Sequence, residues 1–296
     1  MIVVERAPPY LTVQDGGRYG YRVSGVPPGG AMDRWSLSRA NILIGNERNA
    51  AGLEWAIGGG ALRFESDTDI ALTGADVEAT LDGSRVATRA RISVRAGQLL
   101  VVERILNRRF VYLAVSGGVN SPPVLGSRST YLPAAFGGIE GRRLKSGDVI
   151  PTNEISSQIE RASDAIANLE GPDYDAEVIR VVAGANGDAF KEFAGADYKV
   201  SAASDRMGYR LEASRAMENL GASITSEPVC AGAIQIPPNG QPIVLMADSP
   251  TIGGYRIIAT VITCDLPILA QCLPGRSARF AGVSVAVAQQ ELRARA

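Results

Sequence analysis

GAIQIPPNGQPIVLMAD, from Gly232 to Asp248, holds two short apolar runs parted by Pro237-Pro238-Asn239-Gly240. Isoleucine and valine suit a pleated, half-buried surface, while Gly, Pro, Asn and Asp punctuate it, so the stretch reads as strand and turn, not helix. The same vocabulary recurs in MIVVER (1–6), DIALTGA (69–75), QLLVVER (98–104), RFVYLAVSG (109–117), VIRVVAGA (178–185) and IIATVITC (257–264). Helical pattern is confined to a few places. Met32–Ile44 brings Trp35, Leu37, Ala40 and Leu43 or Ile44 near one face behind a possible cap at Asp33. Pro267–Leu273 and the tail after Val285 are the other candidates. The class is mainly β with a few short helices.

GALRFESDTDIALTGAD (Gly60–Asp76) aligns without gaps on the opening stretch, and Arg18-Tyr-Gly-Tyr-Arg22 recurs as Arg206-Met-Gly-Tyr-Arg210. Turns at Gly97 and Gly275 follow in the same order. Together they predict duplication of a β domain. Between the halves, EISSQIERASDAIANLEGPDYD (Glu154–Asp175) is polar and acid-rich and carries Gly-Pro, as a connector with some helix does. The expected organisation is a domain over 1–153, a connector over 154–176 and a second domain over 177–296.

The chain has 296 residues, 46% hydrophobic and 21% charged, with a net charge of −1. That balance fits a soluble globular protein and carries no basic footprint for nucleic acid or an anionic membrane. No apolar run has the length of a membrane span, and MIVVERAPPY lacks the layout of a signal peptide, so a cytoplasmic location is expected. Cys230, Cys264 and Cys272 form no CxxC pair and lie in apolar surroundings, which predicts buried, reduced thiols.

Histidine is absent. Ser-His-Asp and Cys-His catalysis, HExxH zinc chemistry and histidine proton shuttles are thereby excluded, and acid–base work falls to Asp, Glu, Tyr, Lys or a cofactor. No GxxxxGK[ST] phosphate loop occurs, and the lysines are Lys145, Lys191 and Lys199 alone. Positive charge is therefore almost all arginine, which suits planar recognition of carboxylates or phosphates. No metal-ligand spacing is visible.

The polar candidates gather in three regions. VQDGGRYGYRVSGVPPGGAMD (Val13–Asp33) surrounds Gln14, Asp15, Arg18 and Asp33 with glycine, and SDRMGYRL (Ser204–Leu211) repeats the grouping with Asp205 and Arg206. Glycine lets backbone N–H groups approach an anion, so these residues can line a polar site; they suit structural ion pairs closing tight turns equally well. GSRST (Gly126–Thr130) follows Gly117 and Gly118 at a strand end. Ser127, Arg128 and Ser129 there make a carboxylate or oxyanion cradle, or plain loop hydrogen bonds. In the third region Glu227, Gln235 and Asp248 lie at or beside apolar strands, and Thr251, Gly253, Gly254 and Tyr255 form a TIGGY turn. An inward Gln235 needs a partner or a ligand; an outward one needs neither. Asp15, Asp33, Asp205 and Glu227 are the acid–base candidates, and the rest are binding candidates.

Taken together, VQDxGRxGY, GVPPxGAMD, ANxLxGNxxNAAxLE, TGAD, GSRST, GRxLxxGD, SDRMGxRL, GAIQxPxxGQPIxLMADxxTxGGY and DLPxLAQxxPGxxxRF resemble the biotin-dependent carboxyltransferase-like family over Val4 to about Phe280. That family includes the C subunits of ATP-dependent 5-oxoprolinases, the KipA proteins and the proteins called allophanate hydrolase subunit 2. The resemblance implies two tandem cyclophilin-like β-barrels, a KipI-like partner and, in the 5-oxoprolinase, a second, LamB/YcsF-like partner. It implies ATP-driven opening of 5-oxo-L-proline to L-glutamate, with ATP shared with a partner. Two alternatives come with it: carboxyl transfer to urea or a related amide from carboxybiotin on a separate carrier, and a non-enzymatic KipA-like antagonist of a KipI-like kinase inhibitor. Gly184-Ala185-Asn186 and Arg256 stand where the family has Gly-Pro-Gln and proline.

Overall fold

The computed structural model describes residues 1–154, 171–184, 187–217 and 224–295. The chain divides into two compact units: Met1–Arg18 with Gly29–Leu169, and Tyr19–Pro28 with Glu170–Ala296. Most of the sequence's connector, and the Ala185-Asn186 departure, lie outside the described residues.

In the first unit a six-stranded sheet runs in the order Val149–Ile150, Ile2–Arg6, Gly60–Phe64, Leu99–Ile105, Val77–Leu81, Ser84–Arg85. A five-stranded sheet runs Tyr10–Gln14, Gly52–Ala56, Phe110–Val115, Thr68–Gly74, Arg91–Val94. All neighbours are antiparallel. Ile2, Val4, Leu62, Phe64, Leu100 and Val102 from one sheet meet Leu11, Val13, Leu53, Trp55, Ile70, Leu72, Val111 and Leu113 from the other in one apolar cluster. Alternation puts these side chains on the shared face.

The five-stranded sheet is covered on its second face as well. Helix α1, Arg34–Leu43, packs Ala40 together with Ile44 against Ala71 and Ala114. Asp33 caps it, accepting from the Ser36 N–H at 2.9 Å and the Ser36 hydroxyl at 2.6 Å. Trp35, expected on the inner face, is only half-buried; Ser36 and Asn41 are buried instead. Both are satisfied: Asn41 Nδ2 donates to the Ala50 carbonyl at 2.8 Å, and Thr73 Oγ1 donates to the Ser36 carbonyl at 2.6 Å.

Beneath the N-terminus of α1 lies a polar row crossing four strands, with register partners Thr12–Glu54, Glu54–Tyr112 and Tyr112–Thr73. All four residues are buried. The Tyr112 hydroxyl donates to Glu54 Oε2 at 2.8 Å and accepts from the Asp33 N–H at 2.7 Å, while the Met32 N–H also reaches Glu54 Oε2 at 2.8 Å. Burial, then the charges of Glu54 and Asp33, hold the Tyr112 phenol well above its ordinary pKa, so it stays a donor. Tyr112→Phe removes one donor from the buried Glu54, which keeps the Met32 N–H, and removes the acceptor of the Asp33 N–H. It is expected to lower unfolding free energy by about 1.5–3 kcal/mol, read as a shift of the urea midpoint at constant m.

The second unit contains a closed barrel: Val178–Ala183, Arg256–Val261, Ala233–Ile236, Ile243–Leu245, Gly208–Ala213, Tyr198–Val200, Ser277–Gly282, and back to Val178–Ala183. The closing pair is parallel; the others are antiparallel. Ile179, Val181, Tyr209, Leu211, Ile234, Ile236, Val244 and Ile258 are the buried alternates. Helix α2, Gly187–Ala194, brings Phe193 to Tyr198 and Phe280, with ring centroids 5.0 and 4.8 Å away. Helix α3 is Leu266–Ala270, and α4, Val285–Ala294, is capped by Ser284. No helix among the described residues is long and apolar enough to cross a membrane.

The mainly β class with a few short helices holds. The aligned pair of stretches behaves differently in each half. Ala233–Ile236 and Ile243–Leu245 are neighbours in the barrel, whereas Gly60–Phe64 and Thr68–Gly74 belong to different sheets. Cys264 and Cys272 are buried, but Cys230 is exposed, because Val229 takes the inward place beside it.

Candidate functional site

In the first unit the glycine-rich stretch turns its polar groups upon the chain itself. Strand Tyr10–Gln14 delivers Asp15 into a turn. Its carboxylate accepts from the Gly17 N–H at 2.7 Å, the Ser127 hydroxyl at 2.7 Å, the Arg128 N–H at 2.6 Å and the Ser129 hydroxyl. Arg18 Nη2 donates to the Ser129 carbonyl, and the guanidinium lies 4.7 Å from the Phe136 ring centroid. Gln14 Nε2 donates to Thr12 Oγ1 at 3.1 Å and to the Thr130 carbonyl at 3.2 Å.

Glycine is needed where these loops touch. A Cβ on Gly30, whose φ is +84°, would lie 2.9 Å from the Gly17 nitrogen, and one on Gly137 would collide with the Ser129 carbonyl. The permissive backbone thus lets three loops pack main chain to main chain. Gln14, Asp15, Arg18, Ser127 and Ser129 are all buried in this clamp, and Asp33 is buried at the start of α1. Asp15 and Arg18 close these loops through hydroxyl, N–H and carbonyl partners, not through the Asp–Arg ion pair that the sequence allowed. Arg128 is half-buried, its Nη1 donating to the Ser121 carbonyl. Gly117 and Gly118 both have positive φ and bond with neighbouring chain: Gly117 N–H to Asn46 Oδ1 at 2.9 Å, Gly118 N–H to the Val115 carbonyl at 2.8 Å.

In the second unit Arg206 and Asp248 form a bidentate pair, Nε to Oδ2 and Nη2 to Oδ1, each 2.8 Å. Both are buried, 6% and 1% exposed, and the Asp248 N–H returns to the Arg206 carbonyl at 2.9 Å. Fork geometry and low exposure make this a committed pair. Asp205 is exposed and closes its own turn, accepting from the N–H groups of Met207 and Gly208 at 2.8 and 3.1 Å.

Glu227 is placed otherwise. Glu227–Pro228 pairs with Ile252–Gly253, Glu227 opposite Gly253, and the ladder continues where the Val229 N–H meets the Thr251 carbonyl at 3.0 Å. A bulge between Ile234 and Gln235 re-aims Gln235, whose Nε2 donates to the Tyr255 carbonyl at 3.2 Å. Gln235 is therefore inward, with the turn as its partner. A Cβ on Gly253 would lie 2.5 Å from that Nε2, so glycine lets the amide pass beneath the turn. Thr251 is buried; Gly253, Gly254 and Tyr255 are half-buried. Above them the half-buried Glu227 carboxylate has neither hydrogen bond nor ion pair among the described residues.

The sequence candidates thus separate by availability. Asp15, Asp33 and Asp248 are engaged and buried, Asp205 holds a turn, and Glu227 alone of them has no partner among the described residues, beside a braced glycine turn. Arg256, at the start of its strand, is exposed. The sequence reading missed Glu54, Tyr112 and Phe136. A lone Glu between Leu53 and Trp55 in an apolar strand was the signal for the first. Among the described residues no group of three or more Cys, Asp or Glu is arranged to hold a metal ion.

The family model for a carboxyltransferase domain, subdomain A and B, matches residues 24–282. The chain is 41% identical over 303 aligned residues to the 5-oxoprolinase C subunit of Escherichia coli K12, covering 100% of this chain and 94% of that protein. It is 39% identical to the Haemophilus influenzae protein of the same name, over 93% of this chain and 88% of the other. Among solved structures, the urea amidolyase of K. lactis superposes with a TM-score of 0.88 at 28% identity, over 99% of this chain but 19% of that one.

Proposed function

The chain belongs to the carboxyltransferase domain family, subdomain A and B, and on that footing we propose that it is the C subunit of a 5-oxoprolinase. With its partners it would open the lactam of 5-oxo-L-proline to L-glutamate at the expense of ATP. The observation that carries this reading is the match to two 5-oxoprolinase C subunits along nearly the full length of both chains.

Opening the lactam adds hydroxide to the carbonyl carbon, breaks the C–N bond and places a proton on the departing nitrogen. In a chain without histidine a carboxylate is one of the groups left to carry that proton. Glu227 takes this role, free and seated over the turn that Gln235 braces. Gln235 is a positioning residue: it touches the Tyr255 carbonyl and braces the turn that holds Gly253 opposite Glu227. Arg18 and Arg206 are committed to Ser129 and Asp248, and no GxxxxGK[ST] phosphate loop occurs in the sequence. ATP is assigned to a site shared with a partner, the partners being KipI-like and LamB/YcsF-like, and the assembly is assigned to the cytoplasm.

A second reading, carboxyl transfer from a biotinylated carrier to a urea-type amide, draws on the urea amidolyase superposition. Co-purification of the chain with both partners separates the two. Release of ADP that depends on 5-oxoproline, with one glutamate per ADP, is the expected result. Turnover that ignores 5-oxoproline and requires a biotinylated carrier with urea overturns it.

A further inference from the structure

Helix α4 is held to the second unit differently from the other helices. Helix α1 buries Leu37 and Ala40, α2 buries Ala189 and Phe193, and α3 buries Ile268 and Leu269. None of the ten residues of α4 is buried. Ala288 and Glu291, one turn apart, are half-buried, while Val285, Val287 and Leu292 are exposed. Helices in proteins draw most of their stability from an apolar face packed on a core, and one this short is marginal in water without it.

Charge supplies what apolar burial does not. Arg180, on strand Val178–Ala183, is fixed by Asp265, whose carboxylate accepts from Nε at 3.0 Å and from Nη2 at 2.7 Å. Its Nη1 reaches Glu291 Oε2 on α4 at 3.1 Å. Arg295, the C-cap of α4, lies 3.6 Å from the same oxygen and donates from Nη1 to the Cys264 carbonyl at 3.3 Å. The side chains of Arg180, Glu291 and Arg295 remain 28%, 35% and 23% exposed, so water and salt ions reach them. Cys264 itself is 6% exposed. Burial pushes its thiol pKa up, and the charges of Arg295 and Glu291 act on it as well, which places this end of α4 beside the thiol.

We propose that α4 is an ionic latch: the Arg180–Glu291–Arg295 contacts dock it on the barrel, and rising ionic strength releases it and uncovers Cys264. Partly exposed ion pairs are individually weak and are screened by salt, whereas an apolar core is not. Once released, the helix has nothing left to hold its turns together. The latch is independent of the 5-oxoprolinase reading.

The test uses the full chain carrying Cys230→Ser, which removes the exposed thiol. It is alkylated with iodoacetamide, an uncharged reagent, and each remaining cysteine is followed by peptide mass spectrometry. From about 0.01 to about 1 M KCl the screening length falls from about 30 to about 3 Å. Over that range the labelling rate of Cys264 is expected to rise about three- to tenfold as the pairs are screened, with hydrogen exchange of the α4 amides rising in step. Cys272, buried with its thiol 3.4 Å from the Ile268 carbonyl, is the internal reference and should not respond. Glu291→Gln should label Cys264 fast already at low salt and lose the salt dependence, with the thermal midpoint unchanged. Labelling of Cys264 indifferent to salt, Cys272 rising in parallel, or a Glu291→Gln variant that keeps the slow low-salt rate each overturns the proposal.

Discussion

Glu227→Gln is expected to lower kcat for 5-oxoproline cleavage by about two to four orders of magnitude in the assembled enzyme. The substitution keeps the shape of the side chain and removes its capacity to carry a proton. The carboxylate makes no bond to the described residues, so unfolding free energy should move by less than about 0.5 kcal/mol. KM should stay near the wild-type value, since the interaction removed belongs to proton transfer. A variant that turns over normally sinks the assignment of Glu227. A variant that unfolds shows that the residue was structural. Gln235→Ala offers a contrast: releasing the Tyr255 carbonyl loosens the turn, so kcat and KM should change together while Gln235→Glu, still able to reach the turn, restores neither the neutral donor nor full activity.

Asp248→Ala carries the largest expected loss of stability. Removing the carboxylate leaves the Arg206 guanidinium, 6% exposed, without its bidentate partner. Breaking a buried pair from one side costs about 3–5 kcal/mol, a large share of the roughly 5–15 kcal/mol typical of whole domains. Replacing both partners at once, Arg206→Met with Asp248→Leu, should recover most of that loss, because no uncompensated charge remains. Urea unfolding of the two single variants and the double variant reads the cycle directly. A single variant as stable as the wild type would show that the pair lies open to water.

The two units were legible from the sequence to different depths. Strands announced themselves because valine, isoleucine and alternation are local properties, and α1 was visible through its Asp33 cap. Helix α2 went unseen: it is a short segment following a glycine-bearing run, and its docking through Phe193 onto Tyr198 and Phe280 is tertiary. Alternation also tells which residues share a face without telling what covers that face. Thr12, Glu54, Tyr112 and Thr73 read as the watery side of their strands, yet α1 and the Gly29–Asp33 chain enclose them. The gapless match of Gly60–Asp76 with Gly232–Asp248 is likewise a match of strand and turn chemistry. Which strand a segment pairs with depends on partners far along the chain, and there the two halves part.

Of the polar candidates, residue type and glycine content found the places but not the tasks. Asp15 and Glu227 are both carboxylates beside glycine. One receives two hydroxyls and two N–H groups, most of them from Gly126–Thr130, and the other receives none from the described residues.

The parallel seam of the barrel has a bearing on how the protein is made. Val178–Ala183 leaves the ribosome early and waits for Ser277–Gly282, so throughout that interval the nascent ring exposes an unpaired edge. Open edges recruit other edges, and pairings between distant segments form slowly. Chains truncated ahead of Ser277 are therefore expected to aggregate instead of giving a smaller folded body, which a solubility assay of the truncated product checks.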